Sequence, residues 1–281
     1  MKPTACLLGV LLCLAGCHPQ MHNSSSRSYE KASAAEALAL LQAQADKVMS
    51  LKIYAQCRMG LPDEDGVLKE QPPFDVRIYF DPPYNVFMDG IVGMGASGKV
   101  EMGSNAEFFW MGIKLKMDEF WWGRWDKTSN HEDMQVSPKA MMEALGVLQL
   151  GDPASWSLSK RQDVDVLIQV GPTGKITRQI KMQPGASVPQ RIEYFNDQGE
   201  ISLVVELAQY TTLLNGFEVP QEIGISAFQD DQCSHYVRLS VRRDYGVTKK
   251  TYSEKFRQNN FHFDISKVTG YSRVTEVTES L

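Results

Sequence analysis

Two short runs hold side chains that could bind a metal or move a proton. Asp230-Asp231-Gln232-Cys233-Ser234-His235 gathers two carboxylates, a thiol and an imidazole, and His131-Glu132-Asp133 gathers three more such groups. Carboxylate, thiolate and imidazole are the donors that divalent cations take. Both runs also read as polar turns, which favour the same residue types for backbone reasons alone, and that is the reading we adopt. Common enzyme motifs are missing from the sequence: there is no Gly-x-Ser-x-Gly elbow, no phosphate loop ending in Gly-Lys-Ser/Thr, and no His-Glu-x-x-His helix. The expectation is a protein that binds rather than catalyses, with no metal and no cofactor.

A different chemistry is marked at the N-terminus. Lys2 precedes an apolar run from Ala5 to Leu14, and small residues Ala15 and Gly16 precede Cys17. About ten apolar residues are too few to span a bilayer, which needs about 20, so residues 1–16 read as a secretory signal peptide. Leu14-Ala15-Gly16-Cys17 resembles the lipobox of bacterial lipoproteins. That resemblance implies cleavage before Cys17, a diacylglyceryl group on its sulfur, and an amino end acylated with a chain such as palmitate. Several acyl chains, at about 0.8 kcal/mol per buried CH₂, hold a protein durably on a membrane. His18 stands where an aspartate commonly means inner-membrane retention, so the resemblance points to the outer membrane of a bacterial cell envelope, facing the periplasm. Residues 17–33, with Ser24-Ser25-Ser26 and no apolar periodicity, read as a flexible tether.

Once residues 1–16 are removed, Lys2 is lost and 28 basic residues face 34 acidic ones. Nucleic-acid binding normally leaves a basic stripe, and none is visible. Of five cysteines, Cys6 and Cys13 leave with the signal peptide and Cys17 takes the lipid. An oxidising envelope permits a disulfide between the remaining Cys57 and Cys233. Cys57 equally reads as a small buried thiol, because it sits on the apolar side of an alternating strand.

Leu38, Leu41, Ala45 and Val48 repeat at helical spacing between Ala32 and Leu51, which predicts one amphipathic helix. The period then drops to two. Ile53, Ala55, Cys57 and Met59 alternate with polar residues, as do Phe74, Val76, Ile78 and Phe80, the mark of strands with one buried face. Ser137 to Gly146 reads as a short helix capped by Ser137 and stopped by Gly146. Further strands are expected at 84–92, 99–103, 164–170, 176–183, 189–195, 201–213, 217–228 and 236–245, joined by turns such as Asp197-Gln198-Gly199 and Asn215-Gly216. The fold class is mainly β. About eleven antiparallel strands cannot stay flat, so they should curl into an incomplete barrel covered by two or more helices. A single domain is expected over residues 34–250, with 251–281 as a C-terminal extension.

This order of elements resembles the outer-membrane lipoprotein carrier and receptor family, the LolA and LolB proteins. Phe80-Asp81-Pro82-Pro83-Tyr84-Asn85-Val86 is similar to an early strand-turn-strand of that family, and Val188 to Glu200 to a later hairpin. Met102-Gly103-Ser104-Asn105 running into Phe109-Trp110, with Pro138 and Ala144-Leu145-Gly146 after it, is similar to a lipidated branch of the superfamily. The resemblance implies a half-barrel that holds acyl chains beneath helical lids, a role in sorting lipoproteins to the outer membrane, and lipid or lipoprotein acyl chains as partners. Cys17 departs from the soluble carrier and agrees with the anchored receptor, although the chain is longer than either. Met94, between Gly93 and Gly95, matches the receptor's exposed apolar loop residue by shape, and a solvated turn methionine is the preferred reading.

Four of the five tryptophans, Trp110, Trp121, Trp122 and Trp125, fall between Glu107 and Asp126. A hairpin turning at Met117-Asp118 would set Lys116 opposite Glu119, Leu115 opposite Phe120, Ile113 opposite Trp122 and Trp110 opposite Trp125. One face then collects Phe109, Met111, Ile113, Leu115, Phe120 and Trp122. Together with Phe74, Val76 and Ile78, these are the candidate lining of an acyl-binding cavity. The other face carries Trp110, Trp121 and Trp125, suited to a membrane interface or a protein partner. A slip of one residue would bring Glu119 among apolar groups, which is costly unless it is paired. The plainer alternative is that the indoles fill the core of a large sheet. The expected function is therefore a lipid-anchored envelope protein that binds acyl chains, and the alternative is a structural or interaction lipoprotein with a protein partner on its outer aromatic face.

Overall fold

The computed structural model describes residues 33–63, 65–92, 98–115, 118–125, 138–161, 163–243 and 246–277. Residues 1–32 lie outside the described part, and with them the signal peptide, Cys17 and nearly all of the tether. So do Met94, Lys116, Met117, Ser137 and the run 131–133.

Ser33 caps α1 (Ala34–Ala45), its hydroxyl accepting from the Glu36 N–H at 3.3 Å. The helix ends before the Leu51 expected of it, because the buried series Leu51, Ile53, Ala55, Cys57 and Met59 already has strand parity. A first set of strands follows: β1 (Leu51–Pro62), β2 (Leu68–Glu70), β3 (Phe74–Asp81), β4 (Asn85–Val92), β5 (Gly98–Ser104), β6 (Phe108–Lys114) and β7 (Glu119–Arg124). The short helix α2 (Pro138–Ala144) separates them from a second set. That set is β8 (Trp156–Arg161), β9 (Val164–Val170), β10 (Ile176–Met182), β11 (Arg191–Phe195), β12 (Ile201–Ala208), β13 (Thr211–Thr212), β14 (Glu218–Val219), β15 (Glu222–Gln229), β16 (Gln232–Val241) and β17 (Val247–Lys249). Helix α3 (Glu254–Asn260) and β18 (Arg273–Val277) complete the described chain.

The main sheet has 16 strands and runs β18-β7-β6-β5-β4-β3-β1-β16-β15-β12-β11-β10-β9-β8, with β2 and β17 paired to β1. Its first meander grows from β1 to β7. The chain then crosses to the opposite edge, starts again at β8 and works back to β16, which pairs with β1 through Ala55 opposite Val241 and Cys57 opposite Leu239. Among the described residues, edge strands β18 and β8 do not pair with each other, so the sheet is curled, antiparallel except at β18, and not closed. The crossing lays α2 on the inner face, where α1 also packs.

The strand count exceeds the expected eleven. Strands β2, β17 and β18 are too short for a period to be read from sequence, and Gln209 at φ 55 interrupts the run after β12 so that β13 pairs with β14 in a separate hairpin. Both described cysteines are free thiols, which corrects the suggested disulfide: the register of β16 sets Leu239 opposite Cys57 and holds Cys233 against Phe228 near the turn.

The C-terminal extension is fastened across the outer face of the first meander. Tyr252 Oη donates to Leu51 O at 2.5 Å, Arg257 Nε to Asp81 Oδ2 at 2.7 Å, and Asn105 Nδ2 to Phe261 O at 2.9 Å. Strand β18 then pairs with β7 in parallel, placing Arg273 opposite Glu119.

Candidate functional site

The inner face is built by strand parity. Residues of one parity in β3 to β6 are buried there, including Phe74, Val76 and Ile78 on β3 and Phe109, Met111 and Ile113 on β6. Register lines up Met88, Met102 and Met111 across β4, β5 and β6 as direct neighbours. Helix α2 contributes two more buried methionines, Met141 and Met142, to the same core. Ser104 at the end of β5 donates to Tyr84 O at 2.6 Å and lies 3.6 Å from Met142 Sδ, which seats α2 over this row. Methionine is unbranched, flexible and polarisable, so this seam can repack against differently shaped apolar partners more easily than one of valine or isoleucine.

A buried polar cluster fixes the other side of α2. Glu143, whose side chain is 1% exposed, meets Arg178 of β10 at 3.1 Å. Arg178 also donates to Gln149 O at 2.6 Å and to Gln169 Oε1 at 3.2 Å, and its guanidinium lies 5.0 Å from the Trp156 ring centroid. Tyr194 Oη donates to the second Glu143 oxygen. Burial and the neighbouring Glu143 charge push the Tyr194 hydroxyl well above its ordinary pKa, so it is present as a donor. Every charged group in this cluster is answered, as a dry interior requires.

Among the described residues the inner face is packed by one continuous apolar core. Between α1, α2 and the β13–β14 hairpin a narrow pocket of about 20 Å³ remains, lined by Leu41, Gln44, Ala144, Leu148, Tyr210 and Glu218. That is room for about one water. The tip of that hairpin carries Leu214, fully exposed, and Asn215 Nδ2 ties it to Lys47 O at 2.7 Å.

The tryptophan hairpin has a different register from the one expected. Ile113 pairs with Glu119 and not with Trp122, Met111 with Trp121, and Trp110 with Trp122. Phe109, Met111 and Ile113 keep the inner face, and Leu115 packs half-buried against the same core. Phe120 and Trp122 change sides and join Trp110 on the outer face, while Trp121 and Trp125 pack toward the main core. The penalty that argued against this arrangement is avoided because the Glu119 side chain stays 23% exposed, with Arg273 of β18 3.6 Å away. Nor is Trp110 open to a partner, being only 5% exposed. Phe263 stacks on it at 5.2 Å and also contacts Phe108, Phe120 and Trp122. The indole lies flat over Gly103 of the adjacent strand, where a Cβ would come within 2.2 Å of it.

Asp230 and Asp231, at φ 49 and 59, form the two-residue turn between β15 and β16, the conformation that such hairpins favour. Sequence reasoning passed over Glu143, Arg178, Tyr194 and Leu214. Arg178 shares parity with the inward Ile180 and Met182, and Glu143 follows the apolar run Ala140-Met141-Met142; those were the available signals.

Several solved structures are similar to the chain in part of their fold. One is a LolA superfamily protein from Nitrosomonas europaea, at 12% identity and a TM-score of 0.48 over 78% of this chain and 96% of that one. An outer membrane lipoprotein-sorting protein domain from Vibrio parahaemolyticus gives 12% and 0.47 over 80% and 98%. A DUF1329 family protein from Desulfovibrio piger gives 11% and 0.43 over 76% and 94%. No family model and no curated protein matches the sequence. Identity is low throughout, and the open curled sheet rests on the strand pairing above rather than on these likenesses.

Proposed function

We propose that this is a lipid-anchored protein of the bacterial cell envelope, tethered to the outer membrane through Cys17, that takes an acyl chain of a lipoprotein or another lipid between the inner face of its sheet and α2. The observation that carries this reading is the methionine seam: Met88, Met102 and Met111 on the sheet and Met141 and Met142 on the helix. An acyl chain can replace the α2 side chains against the sheet methionines with apolar surface exchanged for apolar surface. Among the described residues the interior is occupied by the protein's own side chains, so uptake requires α2 to move, and the exposed Leu214 offers the donor or acceptor membrane an apolar contact.

A second reading, an interaction or structural lipoprotein without a cargo, is favoured by the small size of the remaining pocket. Native mass spectrometry separates the two. Delipidated protein incubated with phospholipid vesicles or detergent-solubilised lipoprotein should acquire a lipid-mass adduct, weakened by Met142→Glu and retained in Lys249→Gln. A clean apo mass under all these conditions rejects the cargo reading. The tether is tested separately, since Cys17→Ser should move the protein from the membrane fraction to the soluble one.

A further inference from the structure

The groove between the outer face of β4 to β7 and the C-terminal segment lies on the opposite side of the sheet from the acyl-chain space. Its volume is about 640 Å³, the size of a small-molecule site. The floor that a ligand can touch is Phe87 and Tyr271, both half-buried, backed by the buried rings of Trp110, Phe120 and Phe263. Gln258 and Asn259 stand exposed on the rim.

The charges of this groove are unevenly answered. Register places Lys99 of β5 directly opposite Lys114 of β6, and like charges facing each other across strands destabilise a sheet. Glu101 answers Lys99 at 2.6 Å while accepting from Tyr271 Oη at 2.6 Å. Asp264 answers Lys267 at 3.2 Å. Lys114 has no carboxylate partner among the described residues; its ammonium lies 5.8 Å from the Tyr271 ring centroid. Lys99, Lys114 and Lys267 thus outnumber Glu101 and Asp264 in the groove, on a chain whose formal net charge is -5.

An aromatic floor offers apolar ring surface to the C–H face of a sugar, and amides on the rim can meet its hydroxyls. A lysine ammonium is a point charge that donates to carboxylate or phosphate alike. We propose that this groove is a second binding site, for an anionic saccharide whose sugar ring lies on Phe87 and Tyr271 and whose carboxylate or phosphate sits on Lys114. The ligand supplies the countercharge that Lys114 lacks, Lys99 being already answered by Glu101.

The test follows the Trp110 indole N–H by heteronuclear NMR in the intact folded chain during titration. The probes are N-acetylmuramic acid, N-acetylglucosamine 6-phosphate, neutral N-acetylglucosamine and inorganic phosphate. Either anionic sugar should shift the signal saturably and bind at least about tenfold tighter than the neutral sugar, the size of one charge-assisted hydrogen bond. Lys114→Gln should remove that preference and Lys249→Gln, on β17, should leave it. A response to one anionic sugar alone supports the site and names its anion. No saturable shift with either, equal affinity for the neutral sugar, or inorganic phosphate binding as tightly as the sugar phosphate would overturn it. None of these outcomes bears on lipid uptake at the inner face.

Discussion

Replacing Arg178 with methionine removes a guanidinium that is 6% exposed and leaves the Glu143 carboxylate, 1% exposed, beside Tyr194 with no cation in contact. Breaking a buried ion pair from one side costs about 3–5 kcal/mol, because the stranded charge keeps its desolvation penalty. For a domain of this size each kcal/mol moves Tm by roughly 2–4 °C, so Arg178→Met should lower Tm by roughly 6–20 °C. Urea unfolding followed by tryptophan emission is the matching assay, since Trp156 lies 5.0 Å from the guanidinium and reports the site directly. Glu143→Gln keeps an acceptor for Tyr194 without the charge, so the double variant Arg178→Met/Glu143→Gln should recover most of the loss. An Arg178→Met protein within about 0.5 kcal/mol of the unaltered chain, the spread of an ordinary surface substitution, would refute the reasoning. So would two single losses that simply add.

Phe263→Ala should cost about 3 kcal/mol and shift tryptophan emission to the red, because it uncovers Trp110 and Trp122; an unchanged spectrum would mean the C-terminal segment does not cover them in solution. Burial pushes the Cys57 thiol up to about 12, so in a chain lacking Cys17 a thiol reagent at pH 8 should modify Cys233 and reach Cys57 only after denaturation. Equal reaction of both in the folded state would contradict the packing of β1 against β16. Burial alone would raise the Glu193 carboxyl, but hydrogen bonds from Lys181 and Arg191, each at 2.7 Å, prevail and hold it below the usual glutamate value. Its stabilisation is therefore present above the ordinary glutamate range and lost as pH falls through the lowered value. Urea midpoints between pH 7 and pH 3 should fall less steeply in Glu193→Gln, and an identical pH profile would remove Glu193 from the acid response.

Much of the sheet was legible because strand parity is a local property. Ile53, Ala55, Cys57 and Met59 alternate in sequence and are buried together, as do Phe74, Val76, Ile78 and Phe80. The helix at Pro138–Ala144 announced itself through its proline start and glycine stop. Register in the tryptophan hairpin was not legible, because Glu119 sits at the sheet margin with part of its side chain in water, beside a parallel strand that arrives from far along the chain. The covering of the outer aromatic face escaped for the same reason: Phe263 and Tyr271 lie in irregular chain with no period to betray which side they face. At the inner face the apolar members were readable, whereas the Arg178–Glu143–Tyr194 cluster joins three elements that only the fold brings together.

The most direct test of acyl-chain binding is crosslinking with a fatty acid that carries a diazirine on its chain, followed by peptide mapping of the labelled protein. Adducts on Met88, Met102, Met111 or Met142 are expected, competed away by unlabelled lipid. Labelling confined to the outer face, or none above that of unfolded protein, would contradict a lipid held at the inner face.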